Sequence, residues 1–599
     1  MGKDHLASII HESLARNGEK TAMRYKTDGA WHSISYKEMG HKIKSVAKAL
    51  LEDGVKENDM IGIFSQNSPE WHITDYAILS VRAVSVPIYA TNTAKQAQYI
   101  INDAQLKMVF VGDQGQYDKI MSFVNETPQV QKVIVLEKNV TISGDRSVYY
   151  DDYLKFGEKS QRDDDLEKRI NAGDPEDLAT LIYTSGTTGD PKGVMLTHAN
   201  IASQFRAIDK HFDVGGDDYS LCFLPLSHAY ERTWSNYVFR QGAVNNYMLN
   251  SKDVVGFLTE VRPTCMVSVP RLYEKIYATV YDQIEKTGGL KKKMFNWAVE
   301  NGKKYAFKKK NKSFVGPFLA LKHAMADKLV LKKLRDVVGG YKKFFSAGGA
   351  ALSKDIEEFF YACGVLICQG YGLTETSPMC TCNRPKEFKF GTVGKAVLDC
   401  QMRLSDEGEL QIKGPNLMKG YYNKPEATAE VMTQDGWFKT GDVGLIDAEG
   451  FIRITDRIKD LIITSQGKNI APQHIETVVG LDHYIEQVAT IGDKRNYISA
   501  LIVPSFENLE KYAKENNIQF SSRDELVNKP EIIAFYKDRI DKQSAELANY
   551  EKIKRFILMP HEFTQDGGEM TPTLKLKRKV IMQKYADVIE KMYSGKDSD

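Results

Sequence analysis

The sequence predicts an α/β protein. We expect a large amino-terminal domain of helix-covered, largely parallel sheets with a small β subdomain, followed by a smaller, mobile α+β domain at the carboxyl end. Three observations predict this class. Strand-like and helix-like segments alternate from Met60, short strands separated by turn residues follow Gly391, and a mixed segment begins after Arg457. A chain of 599 residues also exceeds one ordinary core, so at least two domains are expected.

The first half of the chain repeats a strand–helix–strand order. The apolar run MIGIF at 60–64 is followed by polar residues 65–67, able to cap a helix through Trp71 and Leu79, and then by AVSVPIY. The order recurs where AKQAQYIINDA precedes KMVFVGD, VVGFLTEV precedes TCMVSVP, and KDIEEFFYACG precedes VLICQGYG. Such units predict parallel sheets, whose ligands favour the loops at the carboxyl ends of the strands.

The second half of the chain has a different pattern, with short strands between turns. Turn signals recur at 406–408, 414–415, 435–436 and 449–450, which predicts a β subdomain over about 391–456 within a domain of residues 1–456. Residues 457–599 are expected to form the separate carboxyl-terminal domain, with the strand ALIVPS and helices around Leu509 and Ile532.

Composition narrows the class of protein. The chain is 42% hydrophobic and 27% charged, as globular proteins are, and its formal charge of +2 gives no reason to expect a nucleic acid partner. No apolar run reaches the ~20 residues of a membrane span, and the first residues lack a signal-peptide core, so a cytoplasmic protein is expected. The sequence does not predict an oligomeric state.

One segment, residues 291–335, is strongly basic. Its lysines alternate with aromatic residues such as Trp297, Tyr305 and Phe314. Two interpretations remain open: a solvated face of amphipathic helices, or a surface that rests on anionic lipid at the inner face of a membrane.

A glycine-rich loop lies within residues 181–194. Three glycines permit close backbone approach, four hydroxyl side chains donate hydrogen bonds, and a lysine adds a cation, which together suit a polyphosphate. The residues expected to bind it are Thr184, Ser185, Gly186, Thr187, Thr188 and Lys192. This is not a Walker A loop, because Gly193 follows the lysine where that motif needs Ser or Thr.

The sequence resembles the adenylate-forming superfamily of acyl-CoA synthetases, luciferases and nonribosomal-peptide adenylation domains. The glycine-rich loop and six further motifs occur in the order that this superfamily has. The blocks lie at 183–193, 346–350, 369–376, 414–421, 437–442, 456–460 and 572–577. The resemblance implies that ATP and Mg²⁺ activate a carboxylate as an acyl adenylate with release of pyrophosphate, and that the acyl group then passes to coenzyme A.

Each block also suits this chemistry. In GYGLTE, Gly372 lets the backbone approach a flat ligand, Tyr371 can stack on adenine, Thr374 can donate to the α-phosphate and Glu375 can bind magnesium. The resemblance implies that Thr184 helps Glu375 to hold the metal.

Three more residues are expected around the nucleotide. Asp442 suits the ribose diol, and Arg457 offers a planar donor fork to the same sugar or its phosphate. Gly348 is expected to form a wall where adenine or the acyl carbonyl approaches.

Lysines of the carboxyl-terminal domain complete the expected site. The resemblance implies that Lys575 stabilises the charge that develops during adenylation, with Lys577 as the alternative. It also implies a hinge at Lys459, about which the domain rotates so that the loop at Lys468 lines the coenzyme A channel.

The block LPLSHAYERT at 224–233 resembles the long-chain branch, so a fatty acid is the expected substrate. His228 is expected at the junction of acyl group and adenylate, and Trp234 either belongs to the core or gates an acyl tunnel. Alternatives are a fatty acyl-AMP ligase, an acyl carrier protein ligase or a luciferase-like oxygenase of the same superfamily. From another class, a non-catalytic nucleotide- or lipid-binding regulator stays open.

Overall fold

A computed structural model describes residues 4–184, 190–249, 253–340, 342–458, 460–465, 468–571 and 575–594. Four residues of the glycine-rich loop, Ser185, Gly186, Thr187 and Thr188, lie outside the described residues, as does Lys459, the expected hinge. Across these ranges, no helix combines the length and the apolar character that crossing a membrane requires.

The largest sheet has eight strands, six of them parallel. In order across the sheet these are Gly420–Tyr421, Lys192–Thr197, Leu178–Thr184, Val84–Ile88, Met60–Phe64, Met108–Val111, Lys132–Val135 and Ser147–Tyr149. The last six run parallel, Lys192–Thr197 is antiparallel to both of its neighbours, and Gly420–Tyr421 is the edge strand. Every residue of Val84–Ile88 is buried, as expected for a strand covered by helices on both faces.

Two further sheets share this plan of a parallel interior with an antiparallel edge. One has the parallel strands Cys265–Ser268, Phe344–Ala347 and Ile367–Gly372, followed by the antiparallel Met379–Cys382 and Lys395–Ala396. The other has the parallel strands Tyr219–Cys222, Val244–Tyr247 and Thr21–Thr27, with Ala30–Ser35 antiparallel at its edge. The predicted α/β class is therefore confirmed.

Helices pack around these sheets. The α-helices are Leu6–Asn17, Tyr36–Glu52, Pro69–Ser80, Ala94–Asp103, Gln114–Met121, Tyr150–Lys159, Asp163–Asn171, His198–His211, Ala229–Gln241, Val254–Val261, Pro270–Thr287, Gly289–Lys310, Pro317–Ala326, Lys332–Val337, Lys354–Ala362, Pro425–Glu430, Pro472–Val479, Phe506–Glu515, Arg523–Val527, Pro530–Gln543, Arg578–Lys584 and Ala586–Ser594. Asp327–Leu331 is a π-helix, and Val124–Glu126 and Thr374–Thr376 are 3-10 turns.

The cap of Pro69–Ser80 differs from the expectation. The expected capping residues 65–67 lie outside the helix, and Ser68 caps it instead by accepting a hydrogen bond from the Trp71 backbone N–H. Pro69 has a ring that fixes φ for the first helical position, so the residue before it becomes the cap. Asn67 instead bonds the 224–226 loop, donating to the Leu224 carbonyl at 2.7 Å.

The β subdomain is a four-stranded antiparallel sheet of Gln401–Leu404, Glu409–Lys413, Phe438–Ile446 and Ile452–Arg457. Beyond it, Ile462–Ile463 pairs with Asn469–Ile470, and a three-stranded sheet contains Ile485–Ile491, Ile498–Pro504 and Ile553–Leu558. Buried residues between Ile462 and Met592 form a hydrophobic core of their own. We call residues 462–594 the carboxyl-terminal unit.

Candidate active site

The glycine-rich loop connects two adjacent antiparallel strands of the large sheet. Thr184 ends one strand and lies opposite Lys192, which begins the next, with Thr184 Oγ1 3.5 Å from the Lys192 carbonyl oxygen. Lys192 Nζ lies 4.9 Å from the centre of the Tyr421 ring. The hairpin therefore holds the predicted phosphate-binding lysine at the mouth of the loop.

Tyr421 links this hairpin to Glu375. Its strand pairs with Lys192–Thr197, and its hydroxyl donates to Glu375 Oε1 at 2.8 Å. Burial and the neighbouring carboxylate raise the pKa of Tyr421, so the hydroxyl keeps its proton and donates. The backbone N–H of Met418 also donates to the Glu375 carbonyl at 2.8 Å. Lys192, Tyr421 and Glu375 thus form one chain of contacts between two sheets.

The donor set at this point fits a magnesium ion. Glu375 Oε2 accepts no hydrogen bond from a described residue, and the Thr184 side chain is half-buried at the neighbouring loop mouth. Mg²⁺ prefers such hard oxygen ligands, and it completes its shell with phosphate oxygens and water rather than with a cage of side chains. No cluster of three or more His, Cys, Asp or Glu that could hold a metal occurs among the described residues.

Arg457 and Tyr371 both donate hydrogen bonds to the carboxylate of Asp442. Asp442 and Arg457 lie directly opposite each other on antiparallel strands, and Arg457 Nε donates to Asp442 Oδ1 at 2.9 Å. The Tyr371 hydroxyl donates to Asp442 Oδ2 at 2.5 Å. Burial, together with the Asp442 charge, raises the pKa of Tyr371 well above its ordinary value. Each carboxylate oxygen retains a second lone pair, which a diol could use.

Close packing explains why Gly372 and Gly348 have no side chain. A Cβ on Gly372 would lie 1.7 Å from the Pro378 carbonyl oxygen, because its strand pairs closely with Met379–Cys382. The close approach expected toward a ligand is therefore made toward the chain itself. A Cβ on Gly348 would lie 3.1 Å from the Tyr230 ring, whose hydroxyl lies 2.7 Å from Ser346 Oγ. Gly348 thus forms a wall against Tyr230, while Thr374 is buried at the start of its 3-10 turn.

His228 caps the helix Ala229–Gln241. Its Nδ1 accepts a hydrogen bond from the Tyr230 N–H at 3.1 Å. Burial, followed by the charge of Lys575, lowers the pKa of His228 to about 4. The imidazole is therefore neutral at pH 7, and because Nδ1 accepts, Nε2 carries the proton and can donate it.

The residues after His228 build a scaffold. Arg232 forms a fully buried bidentate pair with Asp75 at 2.6 and 2.9 Å and donates to Thr180 Oγ1 at 2.6 Å. Burial raises the pKa of Glu231 to about 8. Trp234 is buried and donates from Nε1 to Ser220 Oγ at 2.8 Å, which favours the core interpretation over a gate.

Lys575 of the carboxyl-terminal unit interacts electrostatically with residues of this site. Burial and then the Arg457 guanidinium lower its pKa, while Asp442, Asp460 and Glu375 act in the opposite direction. Charges perturb one another this way only at close range. Its side chain nevertheless keeps contact with solvent, as a group in a narrow open cleft does. The charges of Asp442, Arg457 and His228 thus interact with that of Lys575, while its role in adenylation stays a prediction.

Two other lysines lie elsewhere. Lys577 is the residue before the helix Arg578–Lys584, and its backbone N–H donates to the Glu569 carbonyl at 2.7 Å. Lys468 is exposed at the turn of the hairpin 462–470, with Nζ 5.9 Å from the centre of the Tyr550 ring. Neither makes a side-chain contact with Asp442, Arg457 or Glu375 within the part of the chain that the structure covers.

A few polar contacts hold the carboxyl-terminal unit in this position. Arg271 donates to the Glu486 backbone carbonyl and to its Oε1, both at 3.2 Å. His483 Nε2 lies 3.3 Å from Asp282 Oδ1, and Gln565 Nε2 lies 3.4 Å from Gln96 Oε1. The helix Pro270–Thr287 provides two of these contacts, and Leu481 also packs against the core that contains Tyr273.

Sequence reasoning did not find Tyr421. It ends the block GPNLMKGY, but nothing in that block indicates that its hydroxyl bonds Glu375 from an adjoining sheet. The sequence contains only the spacing between Glu375 and this block, and that spacing does not predict a contact between the two.

Comparison with known proteins identifies the family to which the chain belongs. Residues 10–422 match the family described as AMP-binding enzyme, and residues 459–597 match the AMP-binding enzyme C-terminal domain. The chain is 33% identical over 594 residues to the long-chain-fatty-acid–CoA ligase FadD15 of Mycobacterium bovis, covering 99% of this chain and 97% of the relative. It is 31% identical to long chain acyl-CoA synthetase 6, peroxisomal, of Arabidopsis thaliana, covering 98% and 86%.

Solved structures share the fold. The adenylation domain of a carboxylate reductase from Mycobacterium chelonae superposes with a TM-score of 0.77 at 22% identity, covering 99% of this chain and 92% of that one. ATP-bound MatB from Rhodopseudomonas palustris gives a TM-score of 0.69 at 22% identity, covering 98% and 99%. The chain belongs to the AMP-binding enzyme family.

Proposed function

We propose that this chain is a long-chain fatty acid:CoA ligase that forms AMP. The observation that supports the proposal is the hydrogen-bonded pair of Asp442 and Arg457, a carboxylate suited to ribose whose surroundings include the charge of Lys575 from the carboxyl-terminal unit. The curated relatives that match nearly the whole chain are themselves called long-chain fatty acid–CoA ligases or acyl-CoA synthetases, which supports a fatty substrate.

In the first half-reaction, Asp442 and Arg457 hold the ribose, and Lys192 with the glycine-rich loop holds the β- and γ-phosphates. An oxygen of the fatty carboxylate attacks the α-phosphorus, the bond to pyrophosphate breaks, and acyl adenylate forms. Bound Mg²⁺, held by Thr184 and Glu375, would neutralise phosphate oxygens. Lys575 stabilises the negative charge that develops on the α-phosphoryl oxygens, where a positioned cation acts on the transition state.

His228 has a different task. Because it is neutral at pH 7 and its Nε2 carries the proton, it can donate a hydrogen bond to an oxygen of the acyl group without repelling Lys575. A charged imidazole beside that ammonium would be disfavoured.

In the second half-reaction, the thiolate of coenzyme A attacks the acyl carbonyl, the bond from carbon to the AMP oxygen breaks, and AMP leaves. We propose that residues 457–599 rotate about Lys459 as a domain separate from residues 1–456. This movement withdraws Lys575 and brings Lys468 toward the coenzyme A channel. Support comes from the separate core of the carboxyl-terminal unit and from the partly exposed polar contacts that join it to the helix Pro270–Thr287, since such contacts permit domain motion.

Product analysis tests the proposal. The protein is incubated with ATP, magnesium, palmitate and coenzyme A, and AMP, ADP and palmitoyl-CoA are quantified. AMP together with palmitoyl-CoA is expected. AMP without the thioester would indicate a fatty acyl-AMP ligase or an acyl carrier protein ligase. ADP, or no turnover with acids of several lengths, would contradict adenylate formation and favour a non-catalytic nucleotide- or lipid-binding protein.

A further inference from the structure

An unpartnered apolar stripe runs along one side of the segment Pro317–Leu331. Its side chains are Phe318, Leu321, Met325 and Leu329, which are 69%, 61%, 51% and 44% exposed, and Phe314 just before it is 81% exposed. Their spacing of three and four residues places them on one face of the helix. Isolated exposed apolar residues are common in proteins, but a contiguous row is typical of an interaction site.

The opposite side of the segment fixes its orientation. Ala326 and Leu331 are fully buried and Val330 is nearly so, in the core that contains Phe295 and Phe359. The segment cannot turn its apolar stripe inward without exposing those residues. The stripe is therefore a constant feature of the surface.

The segment that contains the stripe is strongly basic. Residues 289–337 contain thirteen lysines and one arginine against three acids, a net charge of +11. Lys322 Nζ lies 4.4 Å from the centre of the Phe318 ring, and Lys308 Nζ donates to the Phe314 carbonyl at 3.2 Å. Among described residues no carboxylate pairs with Lys308, Lys309, Lys310, Lys312 or Lys322. These charges remain available to an external anion.

We propose that this face docks on an anionic membrane, with the apolar stripe among the acyl chains and the lysines at the lipid phosphates. Charge complementarity decides the occupant. A second copy of the chain would present the same +11 and be repelled, and a nucleic acid would leave the apolar stripe unmatched in water. The inference goes beyond the proposed function, although it suits an enzyme whose substrate partitions into bilayers.

Vesicle flotation without any substrate tests the charge requirement. We expect the protein to float with phosphatidylcholine vesicles that contain phosphatidylglycerol, to float poorly with phosphatidylcholine alone, and to be released by salt. Replacing three lysines, K308Q/K309Q/K310Q, should weaken binding by roughly fivefold for each lysine. The matched control K511Q/K514Q/K537Q changes three exposed lysines of the carboxyl-terminal unit and should bind as the unaltered protein does.

A second variant tests the apolar part. F318S/L321S/M325S should lower binding to the anionic vesicles by at least about tenfold, because three apolar side chains no longer enter the bilayer. The control L445S changes an exposed leucine of the β subdomain and should have no effect. All variants should keep their melting temperature and their turnover of a soluble short-chain acid, since every changed residue lies outside the site.

Several outcomes would overturn the inference. One is absence of vesicle binding by the unaltered protein, and another is binding that neither set of substitutions weakens. Concentration-dependent dimerisation abolished by F318S/L321S/M325S would instead make the stripe an interface between copies. Binding to DNA but not to vesicles would assign the lysines to nucleic acid. Because flotation uses no ATP or acid, these results do not depend on the proposed reaction.

Discussion

At the scale of single residues, the candidate site depends on hydroxyls and carboxylates that hold one another. Tyr421 and Tyr371 each keep their proton and donate it to a carboxylate of the site, Glu375 and Asp442 respectively. Tyr421 is buried and Tyr371 is partly buried. The positions of the two acids are therefore set before any ligand binds, which is the preorganisation that catalytic sites require.

Tyr421→Phe tests this positioning. Loss of the bond to Glu375 removes a charge-assisted hydrogen bond worth roughly 1.5–3 kcal/mol, and the freed carboxylate would turn away from the magnesium position. We expect the KM for ATP and the magnesium requirement to rise about tenfold, with the KM for the fatty acid unchanged. Tyr422→Phe, at the neighbouring position, is the control. Equal kinetics of the two variants would exclude the role given to Tyr421.

Glu231 carries a prediction about pH. Its pKa is raised by burial to about 8, against 4.5 for an ordinary glutamate, so the folded protein binds a proton that the unfolded chain has released between these values. The stability this group contributes is present below pH 4.5 and is lost as pH rises through 8. Relative to Glu231→Gln, the unaltered protein should therefore lose stability from pH 4.5 to 8 in urea unfolding.

The exposed Glu507→Gln variant supplies the control for that experiment. It replaces a surface carboxyl group by the same amide and measures the effect of the substitution itself. A constant difference for Glu231→Gln would show that the carboxyl group titrates normally and is not held protonated by burial.

At the scale of elements, the helix Ala229–Gln241 connects the site to the core. It begins at His228 in the cleft, and one turn later Arg232 forms its buried pair with Asp75 on the helix Pro69–Ser80. The position of His228 thus depends on a charge pair that never meets a ligand. This explains why the Glu-Arg end of the 224–233 block suits a scaffold better than an acyl pocket.

Arg232→Met should destabilise the fold strongly. Asp75 would remain buried without its cation, a defect that typically costs about 3–5 kcal/mol in the free energy of unfolding. The double variant R232M/D75L removes both charges and should recover part of that loss. Urea unfolding of the three proteins measures it. If the single variant were as stable as the unaltered protein, the pair would have no structural role.

Patterns along the chain predicted the strands and helices well but not what they pair with. MIGIF is the strand Met60–Phe64, and KDIEEFFYA is the helix Lys354–Ala362. The strand Gly420–Tyr421 pairs with Lys192–Thr197 over 220 positions away, and Thr21–Thr27 pairs with Val244–Tyr247. Such pairings depend on the whole fold, so local periodicity cannot reveal them.

The same limit applies to the site. Residue types and spacing were enough to propose Asp442, Arg457 and Lys575, because each carries its chemistry in a recognisable block. The choice between Lys575 and Lys577 stays a prediction, although Lys577 is the residue before the helix Arg578–Lys584 and the charges of Asp442 and Arg457 act on Lys575. Roles for Lys459 and Lys468 stay predictions, because they concern a second arrangement of the domains.

At the scale of the whole molecule, the contacts between units bear on the proposed rotation of the carboxyl-terminal unit. The helix Pro270–Thr287 contacts this unit through Arg271 and Asp282. These contacts are polar and partly exposed. Each is therefore worth about 0.2–1 kcal/mol, enough to bias a domain equilibrium without locking it.

The double variant R271A/D282A should shift that equilibrium. We expect acyl-AMP formation to slow by about twofold to thirtyfold, because fewer molecules place Lys575 at the adenylation site as proposed, while thioester formation from supplied acyl-AMP does not slow. Asp538→Ala breaks an exposed pair with Lys542 inside one helix and serves as control. Equal slowing of both half-reactions would contradict a role in domain position.

The most direct test of the central claim is to measure the two half-reactions separately in Lys575→Ala and Lys577→Ala. The account predicts that Lys575→Ala slows formation of acyl-AMP by the equivalent of about 3 kcal/mol, roughly a hundredfold, and leaves thioester formation from supplied acyl-AMP intact. Lys577→Ala should affect neither step appreciably. Equal loss of both half-reactions in Lys575→Ala, or the larger loss in Lys577→Ala, would contradict the assignment of Lys575 to the adenylation step.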